Sequence, residues 1–256
     1  MFDLFRKIDE DISLLDRKAV FALLYTAIGL SCIYYFKDIS TVSEILGGTA
    51  FQFIPDFILK TTGNNLRVLG YWVLVGLVFY FVIPVFVLKV IYKDRLSEYG
   101  LRSNLEPGFW KVFSQCLVVM IPLVYVMSLT AGFSAKYPFL KIYADAPYLS
   151  LTFLIWELIY FCQFLGLEFF FRGFLLHSLK PALGLYSIFA MTVPYCMIHF
   201  GKPMPETIAA IVAGVFLGWL SYKNGSIWLG LLLHCSVAFL MDALSLYNKG
   251  LLFYNF

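Results

Sequence analysis

The sequence predicts an all-α membrane protein, a polytopic bundle of seven or eight transmembrane helices. Hydrophobic residues make up 61% of the 256 residues and charged residues only 14%, whereas a soluble domain of this length needs a larger polar surface. The apolar residues are also gathered into runs long enough to cross the hydrocarbon core of a bilayer. Both observations indicate an integral, multi-pass membrane protein.

Seven apolar runs are candidate transmembrane helices, because each holds about 18 residues or more with few charges. They lie at residues 19–36, 68–92, 109–131, 148–171, 182–200, 205–222 and 226–244. A weaker stretch near 42–58 contains Gly47, Gly48 and Pro55, and we expect an interfacial or re-entrant helix there. Residues 1–18 mix acids and bases and predict an amphipathic lead-in, unlike a signal peptide.

Basic residues beside the first two spans predict the orientation of the bundle. One cluster precedes the first span and another follows the second, and the positive-inside rule puts both in the cytoplasm. The clusters are Arg6, Lys7, Arg17 and Lys18, and Lys89, Lys93, Arg95 and Arg102. Alternation of the spans then predicts a cytoplasmic N-terminus, with residues 37–67, residues 132–147 and the C-terminus on the outer side.

The fourth span belongs to a longer segment, 148–180, which is proline-free after Pro147. About 30 helical residues at about 1.5 Å each exceed the thickness of the hydrocarbon core. We therefore expect this helix to tilt, or to bend near Gly166. Lys180 and Pro181 are expected to end the helix, and Glu168 is then expected in the cytoplasmic half of the membrane.

Four ionisable residues inside the apolar runs are the main functional signal. Glu168 and Arg172 lie four residues apart, on one face of a helix, and His199 and His234 lie in two later runs. Ionisable groups in a bilayer are costly, so they face one another or a polar interior. A purely structural ion pair between Glu168 and Arg172 is the alternative. The pattern favours an active site in a partly hydrated cavity of the bundle.

Several other classes of protein and site find no support in the sequence. The net charge of +3 is too small to indicate nucleic-acid binding. Five cysteines lie in apolar runs without CxxC spacing, and they do not indicate a disulfide framework. The chain contains no HExxH motif of zinc proteases, and neither a GxSG serine motif nor a GxGD aspartyl motif.

Three motifs follow one another along the chain. They read Leu167-Glu168-Phe169-Phe170-Phe171-Arg172, then Tyr195-Cys196-Met197-Ile198-His199, then His234-Cys235-Ser236-Val237-Ala238. In order and spacing they resemble EExxxR, FxxxH and HxxxN (or Asp), the signature of the CPBP intramembrane endopeptidases, a family named for CAAX-processing and bacteriocin-processing members. The resemblance covers roughly residues 95–240, including Tyr99-Gly100-Leu101-Arg102 and Gly225-Ser226-Ile227-Trp228.

The resemblance implies an endopeptidase that cleaves membrane-associated proteins or peptides, lipidated or bearing a sorting tail. In such an enzyme Glu168 would orient or activate water with His199, Arg172 would fix Glu168, and His234 would support the oxyanion. The family is glutamate-dependent, so no cofactor is expected. Glu168, His199 and His234 are also chemically able to form a three-ligand metal site, which we do not favour.

The domain organisation expected from this resemblance is one membrane domain in three parts. Residues 1–94 hold the lead-in and the first two spans, residues 95–244 the protease-like core, and residues 245–256 a C-terminal tail. The expected partners are the lipid bilayer and a membrane protein or peptide substrate, without nucleic acid. The breadth of the family indicates the cytoplasmic membrane of a bacterium.

Three positions depart from the family pattern, and two of them lose a polar side chain. Leu167 stands where the family has the first Glu, which is taken to activate water, and Ala238 stands where it has the Asn of the oxyanion site. Tyr195 replaces the Phe of the second motif. Leucine cannot transfer a proton, so three possibilities stay open. Glu168 acts as the base, the base comes from elsewhere in the chain, or this protein does not cleave.

Three further acidic residues are secondary candidates for the site. Glu157 lies near the helical face of Glu168, but eleven residues correspond to about 16 Å along a straight helix. Asp242 follows His234 by two turns on one face and partly replaces the missing Asn in this reading. Glu206 follows His199 closely, although a role in the first turn of its helix explains it equally well.

Two other functions remain as alternatives. A catalytically inactive pseudoprotease would bind membrane proteins without cutting them, in immunity or as a processing partner, and the two lost polar positions favour it. A small transporter or channel would use Glu168 and Arg172 to gate a path. The absence of evident repeats and of paired broken helices in the sequence counts against transport.

Overall fold

The computed structural model describes residues 14–61, 63–143 and 150–251. Within these ranges the chain forms ten α-helices and no β-strand, which confirms the predicted all-α bundle. The helices are α1 (Arg17–Phe36), α2 (Ile39–Leu46), α3 (Phe53–Leu59), α4 (Leu66–Ile91), α5 (Phe109–Ser128), α6 (Ala131–Lys136), α7 (Leu151–Leu183), α8 (Tyr186–Met197), α9 (Met204–Asn224) and α10 (Trp228–Asn248). The expected lead-in at 1–18 and tail at 245–256 lie partly outside the described residues.

Six of the described helices, α1, α4, α5, α7, α9 and α10, are long and apolar enough to cross a membrane. The predicted span at 182–200 is instead the 12-residue helix α8, because the chain turns after Met197 and Gly201 adopts a φ of 86°. Helix α8 then packs along α9 as a hairpin. The stretch near 42–58 forms two short helices, α2 and α3, on either side of Gly47 and Gly48.

The loops gather at two opposite ends of the bundle. The first is named the Tyr99 end and comprises residues 93–102, 184–186 and 225–227. Here Nζ of Lys18 lies 2.6 Å from Oδ2 of Asp94, and the N–H of Ile227 donates to the carbonyl of Gly100 at 3.2 Å. These contacts join the start of α1 to the loops before α5 and α10.

The second, the Tyr137 end, comprises residues 37–61, 63–65, 129–143 and 248–249. Here Asn248 donates to the carbonyl of Ser128 at 3.0 Å, and Asn65 donates to the carbonyl of Phe139 at 3.1 Å. The segments predicted to share one side of the membrane therefore lie at one end of the bundle. Which end faces the cytoplasm stays a prediction.

Helix α7 is the long helix that the sequence predicts, with 33 residues or about 50 Å of length. Its backbone is α-helical up to Glu168 and then forms a π-helical turn over Phe169–Leu175. Such turns within α-helices are frequent at functional sites. The helix continues through Pro181 and ends at Leu183, before Gly184, so the predicted end at Lys180 and Pro181 is three residues too early.

The π-helical turn lies in the main apolar core of the protein. Four phenylalanines of this turn, each at most 1% exposed, pack against α1, α4 and α8; they are Phe169, Phe170, Phe171 and Phe174. Gly173 allows a close approach to the Tyr99 end, because a Cβ at this position would lie 2.5 Å from the carbonyl oxygen of Tyr99. The position of Glu168 and Arg172 is therefore fixed by tight packing on several sides.

Candidate active site

Glu168 and Arg172 form a buried ion pair on α7. Nη1 of Arg172 donates to Oε1 of Glu168 at 3.0 Å, and both residues are 0% exposed. An isolated charge at such a place would carry a large desolvation cost, which a partner of opposite charge offsets. The i,i+4 spacing thus brings the two side chains together as the sequence predicts.

His234 of α10 is the third member of this cluster. Its Nδ1 lies 2.8 Å from Oε1 of Glu168, and its ring stacks on Phe164 of α7 with a centroid distance of 5.4 Å. Nδ1 also lies 3.2 Å from the carbonyl of Gly230. Both neighbours of Nδ1 are acceptors, so this nitrogen carries the proton in the neutral ring. The carboxylate therefore sets the tautomer and orientation of the imidazole.

Gly230 explains how the Glu168 carboxylate reaches α10. It is the third residue of that helix, and a Cβ there would collide with Oε2 of Glu168. Only glycine leaves room for a carboxylate against the helix backbone at this point. The contact also places Glu168 near the start of α10, toward the Tyr99 end of the bundle.

Tyr195 of α8 joins the second histidine to this cluster. Its hydroxyl lies 3.0 Å from Nε2 of His234, and the guanidinium of Arg172 lies 3.8 Å from the centre of its ring. Its carbonyl oxygen is 2.8 Å from Nδ1 of His199. The four residues Glu168, Arg172, His199 and His234, predicted from three separate motifs, are therefore connected through direct contacts and through Tyr195.

A large cavity of about 2020 Å³ opens beside this cluster, and most of its wall is apolar. Leu167, His199, His234 and Ala238 all line it. These are the positions that correspond to the first Glu, the two His and the terminal Asn of the family motifs. The helices thus place the four motif positions on the wall of one cavity, although two of them carry apolar side chains.

Glu168 and Arg172 do not line this cavity. Successive helical residues are rotated by about 100°, so Leu167 faces the cavity while Glu168 points toward α10 and His234. The Glu168 carboxylate is buried away from the cavity. It therefore lacks the contact with water that a general base needs. The geometry makes Glu168 a partner of His234 and Arg172.

Glu157 and Asp242 lie together and apart from this cluster. Their side chains are buried, 4% and 1% exposed, and lie beside each other. Nε1 of Trp156 donates to Oδ2 of Asp242 at 3.0 Å. Neither residue lines the cavity, so the structure brings neither of these two secondary candidates to the histidines.

Glu206, the third secondary candidate, does line the cavity, at the Tyr137 end. Its carboxylate accepts from Nζ of Lys202 at 2.5 Å and from the hydroxyl of Tyr137 at 3.0 Å. Burial and the nearby Glu206 carboxylate raise the pKa of Tyr137 well above its ordinary value. Thr207 donates to the carbonyl of His199 at 3.0 Å, which fixes the start of α9 against the turn that carries this histidine.

Tyr195 belongs to the site, although the sequence motifs did not predict it as a site residue. A tyrosine inside an apolar helix signals such a role, because a buried hydroxyl usually finds a hydrogen-bond partner. As for a metal, the described residues contain no group of three or more His, Cys, Asp or Glu side chains arranged to hold an ion. The histidines instead make their contacts with Glu168 and Tyr195.

Residues 149–240 match the family model described as Type II CAAX prenyl endopeptidase Rce1-like. The matched segment contains all three motifs and reaches into α10, which confirms the resemblance predicted from the motifs. It covers the later part of the predicted core at 95–244. No curated protein and no solved structure matches the chain.

Proposed function

We propose that this chain is an intramembrane endopeptidase of the CAAX type that hydrolyses peptide bonds of membrane-associated proteins. The matched family model supports a protease of this class in general. The observation that carries the proposal is the convergence of Leu167, His199, His234 and Ala238 on one cavity. A cavity wall with two histidines inside an apolar bundle provides the polar groups that intramembrane hydrolysis needs.

His199 is the best candidate for the base that activates water. Its Nδ1 donates to the carbonyl of Tyr195, so the lone pair of the neutral ring resides on Nε2. In the described part of the chain this Nε2 makes no hydrogen bond, and the residue lines the cavity. It accepts the proton of water as the hydroxide attacks the peptide carbonyl, and it returns that proton to the leaving amine as the C–N bond breaks.

His234 supports the oxyanion that forms during this attack. Oε1 of Glu168 fixes the ring through Nδ1 at 2.8 Å, and the ring lines the cavity in which the negative charge develops. Arg172 keeps Glu168 in place through the bond between Nη1 and Oε1. Glu168 thus acts through His234, in contrast to the direct role that the motif alone suggests.

The substrates that suit this site are peptides or proteins held at the membrane. The mostly apolar wall of the cavity, drawn from α1, α5 and α9 as well as the motif helices, suits an extended segment with apolar side chains or a lipid chain. Proteins that are lipidated near the cleaved bond, or that bear a sorting tail, belong to this class. We place the chain in the cytoplasmic membrane of a bacterium.

The proposal is tested in the native host. The chromosomal gene is replaced by His199→Gln, by Glu168→Gln and by the control His177→Gln, whose side chain lies outside the cavity. Protein levels in the membrane are matched, and membrane and secreted proteins are compared by intact mass and terminal peptides. We expect a set of proteins to keep an uncleaved segment in the His199 strain and to be processed in the His177 strain.

Unchanged processing in the His199 strain, combined with altered processing after deletion of the gene, would contradict the proposal. The protein would then act by binding its partners, as an inactive member of this fold. The apolar side chains of Leu167 and Ala238 on the cavity wall would explain such a result.

A further inference from the structure

Tyr195 makes contacts with three of the four charged or titratable residues of the site. Its hydroxyl reaches Nε2 of His234 at 3.0 Å, its ring lies under the guanidinium of Arg172 at 3.8 Å, and its carbonyl binds Nδ1 of His199 at 2.8 Å. The residue is 1% exposed and does not line the cavity. It therefore contacts the residues of the site without lining the cavity itself.

The hydroxyl of Tyr195 completes the hold on the imidazole of His234. Glu168 binds this ring at Nδ1 and Tyr195 binds it at Nε2, while Phe164 covers one face. A hydroxyl both donates and accepts. It donates to an unprotonated Nε2 and accepts from a protonated one, so it holds the ring in both charge states.

Neighbouring side chains offer no substitute for this hydroxyl. Ala238 lies one turn after His234 on the same helix and has no polar group. In the described residues, Nε2 of His234 has its hydrogen bond with Tyr195 and with no other side chain. The ring of Tyr195, in contrast, would be replaced almost unchanged by phenylalanine, the residue of the family motif.

We propose that Tyr195 is a positioning residue of the active site, whose hydroxyl holds His234 in the orientation that Glu168 sets. The hydroxyl gives His234 a polar partner from α8, whereas Ala238, one turn along α10, has no polar group. The proposal deepens the proposed function and rests on it for its catalytic consequence. The hydrogen bond itself does not depend on that function, and it is measured separately.

The test is nitrogen NMR of the full-length protein in lipid nanodiscs with ¹⁵N-labelled histidine. The chain contains three histidines, so His234 and His199 are assigned from single substitutions. Tyr195→Phe is expected to shift the Nε2 resonance of His234 and to leave the resonances of His199 in place, because the backbone carbonyl that binds His199 is retained. Tyr186→Phe is the matched control, since Tyr186 lies on the same helix and is 76% exposed.

The proposal is overturned if Tyr195→Phe leaves both nitrogen resonances of His234 where they are in the wild type. It is also overturned if Tyr186→Phe shifts them equally, because the effect would then be general to the helix. If Tyr195→Phe fails to fold, a fluorinated tyrosine at position 195 keeps the shape and changes the acidity of the hydroxyl. That residue must then shift the same Nε2 resonance, and an unshifted resonance refutes the hydrogen bond.

Processing in the native host provides the second measurement. We expect Tyr195→Phe to slow the processing of the proteins affected by His199→Gln by about tenfold, because losing one hydrogen bond to a positioned group corresponds to roughly that factor in rate. Normal processing with a shifted Nε2 resonance would contradict the positioning role. Unchanged processing in the His199 strain would instead refute the proposed function, and the NMR result would still decide whether Tyr195 holds His234.

Discussion

Oε1 of Glu168 lies 2.8 Å from Nδ1 of His234, so the carboxylate of the first motif is bonded to the imidazole of the third. Arg172 binds the same oxygen at 3.0 Å. Glu168 makes both contacts while lying outside the cavity lining. The acidic residue that the sequence marks as the main catalytic candidate is thus the buried support of a histidine on the cavity wall.

Neutralising Glu168 should destabilise the protein strongly. Glu168→Gln leaves the guanidinium of Arg172 buried without a counter-charge, and loss of one partner of a buried ion pair costs about 3–5 kcal/mol. The free energy of unfolding in detergent micelles measures this, with Glu44→Gln on an exposed helix as the control. A loss below about 0.5 kcal/mol, as is common at exposed sites, would contradict the enclosed ion pair.

Restoring a carboxylate at position 167 should increase activity. Leu167 lines the cavity, so Leu167→Glu adds a second group able to activate water near the histidines, and general bases contribute about 10²–10⁴ in rate. We expect faster processing than in the wild type, whereas the neutral Leu167→Gln control should show no increase. Equal rates for the Glu and Gln variants at equal protein level would show that position 167 does not reach the reacting groups.

Glu157 should matter for stability and not for catalysis. Its carboxyl group is buried beside Asp242 and does not line the cavity. Glu157→Ala removes most of a buried side chain and should lower the free energy of unfolding by about 0.5–3 kcal/mol. Glu157→Gln keeps a hydrogen-bonding group and should process substrates normally. A stable Glu157→Gln protein without activity would contradict this prediction and show that Glu157 takes part in catalysis.

Asp94 should make the stability of the Tyr99 end depend on pH. Partial burial alone would raise the pKa of Asp94, but hydrogen bonds from Lys18 and Tyr99 outweigh it and hold this pKa below its ordinary value. The stabilisation is therefore complete above the ordinary pKa and is lost as the pH falls through the lowered one. We expect the melting temperature to fall between about pH 5 and pH 2.

Asp94→Asn supplies the matched control for this pH effect. The amide keeps the shape of the side chain but does not titrate, so the variant should lose less stability over the same range of pH. Equal acid dependence in the wild type and the variant would assign the effect to other carboxyl groups.

The fold class and the pairing within the first motif follow directly from the sequence. Long apolar runs have few alternatives in a bilayer, and a spacing of four residues puts Glu168 and Arg172 on one face of a helix. The predicted span at 182–200 was too long, because hydropathy does not register the turn at Gly201 that ends α8 early. The end of α7 was misplaced for a related reason, since Pro181 is tolerated in the last turn of the helix.

The division of roles within the site depends on packing between helices that are distant in the chain. Gly230 leaves room for the Glu168 carboxylate against α10. The spacing of residues along α7 does not predict this contact. The sequence likewise does not predict the role of Tyr195, because its hydroxyl binds His234 on another helix. The order of the motifs was enough to predict that both histidines lie at one site. It did not show which carboxylates line the cavity.

Hydrolysis by the purified protein distinguishes a protease from a protein that only binds its partners. Membranes from a strain that lacks the gene are incubated in ¹⁸O-labelled water with wild-type protein, with His199→Gln or with His177→Gln, and the new C-terminal peptides are analysed by mass. We expect ¹⁸O-labelled termini with the wild type and with His177→Gln, and none with His199→Gln. New termini that form equally well with His199→Gln, or none with the wild type, would contradict it.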